Sequence, residues 1–209
     1  MSKYENINKK VVPVNLKKII VKGEEIIWSG KPKKSAFIIN KILIMLPFAL
    51  FWLLIDLSFI IPLISAEDNA QILWFIIPFF AFHLMPVWIW LSNVLTANKK
   101  WKNTEYAVTN KRIIIMSGFI GMNCESIYYK DIENVELRIS VIDKLLKVGD
   151  IYFDSKVQGQ VAFLDIQNPY EIYPQLQKIV LDIQTDIEFP NNLRPKENDG
   201  YNTKYNGKI

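Results

Sequence analysis

The sequence predicts an α+β membrane protein, in which a hairpin of two apolar helices precedes a small antiparallel β domain that ends in one helix. Half of the 209 residues are hydrophobic, and they concentrate between Ile42 and Leu95. After Lys102, apolar and polar residues alternate, which is the period of a strand. From Pro169, apolar residues recur every three or four positions, which is the period of a helix.

Two apolar segments, at about 42–64 and 72–95, are each long enough to cross a membrane. A helix needs roughly 20 apolar residues to span the hydrocarbon core. The connecting loop, 65–71, is short, so the two helices would be antiparallel neighbours. The sequence therefore predicts a two-helix transmembrane hairpin over 36–97, preceded by an N-terminal segment, 1–35.

The charges that flank these segments predict their orientation. Lysines precede the first segment and follow the second, whereas the loop between them carries Glu67 and Asp68 and no Lys or Arg. Cytoplasmic loops are enriched in Lys and Arg, so both termini would be cytoplasmic and the loop would lie outside. The abundant Lys, Asn and Ile are typical of an AT-rich bacterial genome. The expected location is therefore a bacterial plasma membrane, which the chain would cross more than once.

Two ionisable residues, Asp56 and His83, fall inside the predicted helices. Asp56 would lie about 12 Å from the outer end of its helix and His83 about 17 Å from the start of the next, at a rise of ~1.5 Å per residue. These depths allow the two side chains to meet. One interpretation is a proton or ion relay; the other, which we favour, is a polar contact that holds two helices together, because two helices enclose no pathway.

The domain after the helices is expected over 103–188. Thr109-Asn110-Lys111 predicts a tight turn between two strands, Gly149 predicts a turn with positive φ, and 141–147 predicts one or two helical turns. About six short strands are expected, around Tyr106–Val108, Arg112–Gly118, Glu125–Tyr129, Ile132–Ile139, Ile151–Ser155 and Gln160–Ile166.

A C-terminal amphipathic helix follows, with Pro169 suited to its first turn and Glu171 favourable at its N-terminus. Its apolar stripe consists of Tyr173, Leu176, Val180, Ile183 and Ile187. The last residues, 189–209, are polar with no apolar period, which predicts a disordered tail.

Several of these positions together resemble the bacterial PH-domain family. The shared pattern begins with a G-E-x-x-x-W-x-G-x-P lead-in and continues with a Y-x-x-T-N-x-R-I hairpin, an I-x-x-V strand and a D-x-L-L-x-x-G-D-I turn. The matching residues are Gly23, Glu24, Trp28, Gly30 and Pro32; Tyr106, Thr109, Asn110, Arg112 and Ile113; Ile132 and Val135; and Asp143, Leu145, Leu146, Gly149, Asp150 and Ile151. The resemblance implies a PH-like β-barrel or sandwich capped by the C-terminal helix and tethered to a membrane. It implies no catalytic residues.

The sequence offers little support for enzymatic chemistry. Its single histidine lies in an apolar segment, where no catalytic triad is expected. Phosphate-binding, dinucleotide-binding and zinc-binding patterns do not occur. We therefore predict a protein that is not an enzyme and that needs no cofactor or metal.

The favoured hypothesis is a membrane-anchored interaction or scaffold module at the inner leaflet, with a homo-oligomer or another protein as its partner. An alternative is a lipid-responsive module that binds anionic headgroups. Its candidate contacts are Lys99, Lys100, Lys102, Lys111 and Arg112. A third hypothesis is a proton- or ion-handling protein that uses Asp56 and His83. Nucleic acid is not an expected partner, because the basic residues follow the membrane flanks rather than a groove.

Overall fold

The protein is described by a computed structural model that covers residues 14–65, 70–189 and 200. The chain forms two compact units. One unit, here called the domain, combines Met1–Ala36 with Lys100–Ile209, and the other, the apolar unit, is Phe37–Lys99. Most of the predicted outer loop and of the predicted disordered tail lies outside the described residues.

The described elements follow each other in the order helix, strand, four helices, and then a strand-rich region that ends in a helix. The helices are α1 (Val14–Ile19), α2 (Lys34–Leu43), α3 (Leu46–Ser65), α4 (Ala70–His83), α5 (Met85–Lys102), α6 (Val141–Leu146) and α7 (Pro169–Glu188). The strands are β1 (Ile26–Gly30), β2 (Glu105–Thr109), β3 (Arg112–Ser117), β4 (Asn123–Tyr128), β5 (Ile132–Arg138), β6 (Val148–Ser155) and β7 (Gly159–Gln167).

Among the described residues, one helix is long and apolar enough to cross a membrane. It comprises α2 and α3, which together span the 32 residues Lys34–Ser65. The second predicted crossing is a broken helix, since Trp74–His83 and Met85–Lys102 meet at an angle of 56°. Pro86 follows the break, and proline bends a helix because it lacks an N–H and its ring clashes with the carbonyl four residues earlier.

The domain contains two antiparallel sheets, in the strand orders β1-β2-β3-β4 and β5-β6-β7. Side chains of both sheets and of α7 share one core. Of the predicted stripe of α7, Leu176, Val180 and Ile183 are buried, Tyr173 is partly buried against the core, and Ile187 is exposed. Ile179, which the prediction did not include, is also buried. The predicted α+β class, with antiparallel sheets and a C-terminal helix, is confirmed.

Strand β1 was not predicted, and it belongs to the chain before the apolar unit. It pairs with β2, which comes after the apolar unit, in a register that aligns Gly30 with Tyr106. Trp28 of β1 stacks on Phe163 of β7 with ring centroids 5.5 Å apart. Tyr106 of β2 stacks on the same Phe163 ring, with centroids 4.7 Å apart. Segments on both sides of the apolar unit therefore build one sheet and one aromatic core.

The β2–β3 connection is the predicted tight turn. Val108 pairs with Ile113, and the Thr109 hydroxyl oxygen accepts hydrogen bonds from the backbone N–H groups of Lys111 and Arg112. This bonding is the local side-chain chemistry for which threonine is favoured in turns. The predicted hairpin is therefore confirmed.

Helix α6 confirms the predicted short helix between β5 and β6. Its N-terminus is closed by a capping box, in which the Ser140 side chain accepts from the Asp143 N–H and the Asp143 carboxylate accepts from the Ser140 N–H. Such reciprocal bonds satisfy N–H groups that a helix start otherwise leaves unpaired. Lys147 ends the helix with φ 54°.

The predicted positive φ at Gly149 is wrong, because the left-handed residue of this turn is Lys147. Gly149 is required for a different reason. A Cβ atom at this position would lie 2.9 Å from the Pro169 ring and 3.1 Å from Ile139. The glycine therefore allows the start of α7 to pack closely on β6.

Candidate functional site

In the apolar unit, Asp56 and His83, which the sequence predicts to lie inside membrane helices, are in contact. A hydrogen bond joins Oδ1 of Asp56 on α3 and Nδ1 of His83 on α4 at 2.8 Å. The Trp52 indole N–H donates to the His83 carbonyl at 2.8 Å, and its ring lies 5.2 Å from the imidazole. These contacts connect the two helices at one level.

An apolar groove of about 380 Å³ adjoins this pair. Its lining includes Ile55 and Phe59 of α3 and Phe79 of α4, together with the Asp56–His83 pair. Asp56 is only 1% exposed, and its Oδ2 atom has no hydrogen-bond partner among the described residues. Since buried polar atoms are nearly always paired, this oxygen is the exceptional feature of the apolar unit.

In the domain, a buried carboxylate binds one of the predicted lipid contacts. Oε1 of Glu24 accepts hydrogen bonds from Arg112 Nε at 2.9 Å and from the Thr109 hydroxyl at 2.8 Å. Oε2 accepts from Arg112 Nη2 at 3.1 Å and from the Val21 N–H at 3.0 Å. The guanidinium also donates to the Ile19 carbonyl at 3.0 Å. Arg112 therefore connects the segment before β1, at Ile19 and Glu24, to the β2–β3 hairpin.

This network shifts both ionisable groups toward their charged forms. Burial acts to raise the pKa of Glu24, but the hydrogen bonds from Arg112, Val21 and Thr109 outweigh it, so its pKa lies below the ordinary value. The hydrogen bond with Glu24 raises the pKa of Arg112. Both shifts follow from hydrogen bonding to the charged form.

The other predicted lipid contacts do not form one cluster in the domain. Lys102 ends α5, with Lys99 and Lys100 in the same helix, whereas Lys111 lies on the turn at the far end of β2. The five residues of β2 place that turn roughly 15 Å from the strand's start.

A second set of contacts joins the two places where the chain passes between the domain and the apolar unit. We call residues 31–33 and 101–103 the neck. Lys31 Nζ donates to the Lys102 carbonyl at 2.9 Å and pairs with the buried Glu105 at 3.0 Å. The Trp101 indole N–H donates to the Pro32 carbonyl at 2.8 Å. The two segments of the neck, 31–33 and 101–103, are thus held side by side.

Comparison with known families settles the identity of this fold. A family model described as "Bacterial PH domain" matches residues 42–180, which is more than half of the chain. The chain therefore belongs to the bacterial PH domain family. No curated protein and no solved structure matches it.

Membership among the bacterial PH domains favours an interaction module, since PH-like domains in general are not catalytic. Within the described residues, no group of three His, Cys, Asp or Glu side chains is arranged to hold a metal ion. In this bacterial PH domain protein, three buried carboxylates each pair with a base: Glu24 with Arg112, Asp56 with His83, and Glu105 with Lys31.

In the sequence, Glu24 and Arg112 belong to separate motifs, and nothing in either motif indicates that the two residues pair. They are 88 residues apart, so no local period connects them. The signal that could have found the pair is their joint presence in the family pattern, with one acid in the lead-in and one base in the hairpin. The neck was also missed, although lysines surround Trp101 in the sequence.

Proposed function

We propose that this protein is a membrane-anchored interaction module, in which the apolar unit crosses the membrane twice and the PH-like domain recruits a protein partner or a second copy at the inner leaflet. The observation that carries the proposal is the pairing of β1 with β2 across the whole apolar unit.

That pairing limits the number of membrane crossings. Gly30 and Tyr106 are partners in one sheet. In the neck, the segment before the apolar unit and the segment after it are also joined, by the hydrogen bond from the Trp101 indole N–H to the Pro32 carbonyl. Both ends of the intervening chain therefore lie on the same side, which requires an even number of crossings. Since Lys34–Ser65 is one candidate span, the bent pair that follows it would supply the second.

The charge distribution supports a cytoplasmic domain. Lysines precede and follow the apolar unit, and the only charged residues in the sequence of the loop between its halves are acidic. This asymmetry favours retention of both flanks in the cytoplasm. The PH-like domain, whose family is generally non-catalytic, would then lie at the inner leaflet, where it could bind a partner.

Impermeant maleimide labelling in intact cells tests the anchoring. We use single cysteines in a Cys124→Ser background, with Ala66→Cys in the loop and Val157→Cys on the β6–β7 turn. The proposal expects Ala66→Cys to be labelled in intact cells and Val157→Cys only after permeabilisation. Labelling of both positions, or of neither, before permeabilisation would contradict two crossings with a cytoplasmic domain.

The mass of the protein in nanodiscs, together with crosslinking in native membranes, tests the interaction role. A stable homo-oligomer or a recurrent crosslinked protein is the expected result. A monomer that crosslinks to lipid alone would overturn the scaffold role and favour the lipid-responsive alternative.

The Asp56–His83 pair supports a second candidate, a proton- or ion-handling role, because Asp56 is buried with one oxygen unpartnered among the described residues. Intramembrane ionisable groups are functional candidates by default. Proton flux into proteoliposomes tests this role. It requires a flux that Asp56→Asn abolishes, and an unchanged flux in that variant rejects it.

A further inference from the structure

The domain presents two separate apolar tips beside the neck. The first tip is α6, where Val141 and Leu145 are 89% and 82% exposed. Residues four positions apart in a helix lie on the same face, so these side chains form one projecting patch. Lys33 Nζ donates to the Leu146 carbonyl at 2.8 Å, which holds the C-terminal end of α6 against the neck.

The second tip is the loop between β3 and β4. Ile120 at its centre is 90% exposed, and Met122 is also exposed. The Asn103 side-chain amide donates to the Gly118 carbonyl at 3.3 Å, so this loop also adjoins the neck. A Cβ atom at Gly118 would lie 2.0 Å from the Gly121 carbonyl oxygen, so the glycine keeps the loop tight with Ile120 at its apex.

The α6 tip carries positive charge, whereas the β3–β4 loop contains no lysine or arginine. Lys144 and Lys147 are exposed on and after α6. Near the α6 tip, Asp143 is buried within the capping box, Asp165 is buried in β7, and the partly buried Asp150 accepts a hydrogen bond from the Asp165 N–H. Glu105 pairs with Lys31 at the neck, and Glu125 on β4 is exposed. Projecting aliphatic side chains flanked by lysines are the composition that binds the interface of an anionic bilayer.

The opposite end of the second sheet offers an internal comparison. Val157 on the β6–β7 turn is 74% exposed, nearly as much as Val141. It is separated from the α6 end by the length of β6, about 23 Å at ~3.3 Å per residue.

We propose that the α6 tip and the β3–β4 tip insert into the lipid interface beside the neck, so that the domain is held against the bilayer at two points in addition to its membrane helices. The proposal rests on the proposed function, because it requires the neck to lie at the membrane surface. Its ligand is an anionic lipid surface, recognised through aliphatic insertion and lysine charge rather than through a headgroup pocket.

Lipid quenching of site-attached fluorophores tests the proposal in the full-length protein. Single cysteines at Val141, Ile120 and Val157 in the Cys124→Ser background carry an environment-sensitive probe. The protein is reconstituted in vesicles of phosphatidylcholine and phosphatidylglycerol, with and without nitroxide-labelled lipids. Since all three positions are exposed, the substitutions leave the core unchanged.

The expected result is at least about a twofold loss of fluorescence at Val141 and Ile120 on addition of nitroxide lipid, with little loss at Val157. Equal quenching at all three positions, or none at any, overturns the proposal. Probes that are shielded in native membranes but not in pure lipid vesicles also overturn it, in favour of a protein on this face.

Labelling of Ala66→Cys distinguishes a failure of the insertion proposal from a failure of the proposed two-crossing anchor. If this loop position is labelled from outside while the tips stay unquenched, the membrane anchor stands and only the insertion is wrong. If Ala66→Cys is not labelled until the membrane is permeabilised, the two-crossing anchor itself is wrong.

Discussion

Glu24 in the domain and Asp56 in the apolar unit are buried carboxylates that are each paired with a base from a distant part of the chain, and their oxygens are hydrogen-bonded to different degrees. The domain's Glu105, which pairs with Lys31, resembles Asp56 in leaving one oxygen without a partner among the described residues. Glu24 accepts hydrogen bonds on both of its oxygens, from Arg112, Thr109 and Val21. Asp56 is hydrogen-bonded to His83 through one oxygen, and its other oxygen has no partner among the described residues.

This difference in hydrogen bonding suggests that the two pairs contribute differently to the stability of the fold. A buried carboxylate that is fully paired fixes two segments relative to each other, and its loss is costly because a charge is left unpaired. A buried carboxylate with an unpaired oxygen is less completely stabilised by hydrogen bonds, so its removal should cost less. The comparison therefore predicts that the Glu24 pair matters more for stability than the Asp56 pair.

The largest effect is expected from Arg112→Met. Removal of the guanidinium leaves the Glu24 carboxylate buried and unpaired, which should lower the free energy of unfolding of the domain by about 3–5 kcal/mol. Chemical denaturation in nanodiscs measures this change. Lys111→Met is the matched control, because this neighbouring side chain is exposed and should stay within about 0.5 kcal/mol of the wild type. A loss below about 1 kcal/mol for Arg112→Met would contradict the role of the pair.

A pH dependence is expected from Glu24→Gln. The pKa of Glu24 is lowered in the folded state from 4.5, so its stabilisation is complete above pH 4.5 and is lost as pH falls through the folded-state pKa. The variant should be less stable than the wild type by about 1–3 kcal/mol at pH 7. Thermal unfolding at a series of pH values should show the gap narrowing below pH 4.5, and a constant gap would reject the charge assignment.

An intermediate effect, from packing alone, is expected at Gly149. Gly149→Ala would place a methyl group 2.9 Å from Pro169, and overpacking typically costs about 1–3 kcal/mol. Gly121→Ala is the control, since a Cβ there meets nothing within 4 Å. Comparison of the two midpoints of thermal unfolding checks the prediction. Equal midpoints would show that α7 moves to accept the methyl group.

The smallest effect is expected in the apolar unit. Polar contacts between membrane helices contribute about 0.6 kcal/mol on average, so Asp56→Leu should weaken the α3–α4 association by about that amount. Asp56→Asn should weaken it less, because an amide can still bond the His83 ring. SDS titration in mixed micelles, with one fluorophore on each helix, measures the association.

Ser58→Ala is the control for this series, because the Ser58 hydroxyl donates within its own helix to the Ile55 carbonyl. A destabilisation by Asp56→Leu as large as that of Arg112→Met would remove the contrast between the two pairs. Identical results for the leucine and asparagine variants would show that the hydrogen bond does not contribute.

Local signals in the sequence were sufficient for several elements of the fold. The turn at Thr109 and the first turn of α7 at Pro169 follow from residue-specific chemistry. The apolar period of α7 correctly predicted burial up to Ile183, but it also included Ile187, which is exposed. Periodicity shows which face of a helix is apolar, not how far along the helix that face is covered.

Features that depend on residues far apart in the sequence could not be predicted from local patterns. Strand β1 is only five residues long, IIWSG, with no alternation of apolar and polar residues. Its partner strand lies beyond the apolar unit, so no hairpin signal marks it. The depths of Asp56 and His83 along their helices allowed a contact to be anticipated, whereas the unpaired oxygen depends on three-dimensional packing.

The position of β1 also determines when this protein can finish folding. The ribosome releases β1 before the apolar unit and β2 after it, so the first sheet stays incomplete until the intervening helices have been synthesised. A chain whose apolar unit entered the bilayer only once would leave β1 and β2 in different compartments. Such a chain would lack the Trp28 stacking and the Glu24–Arg112 pair. On the proposed topology of two crossings, the sheet can therefore be completed only after both crossings have formed, and a chain that crossed once would keep an open strand edge that is prone to aggregation.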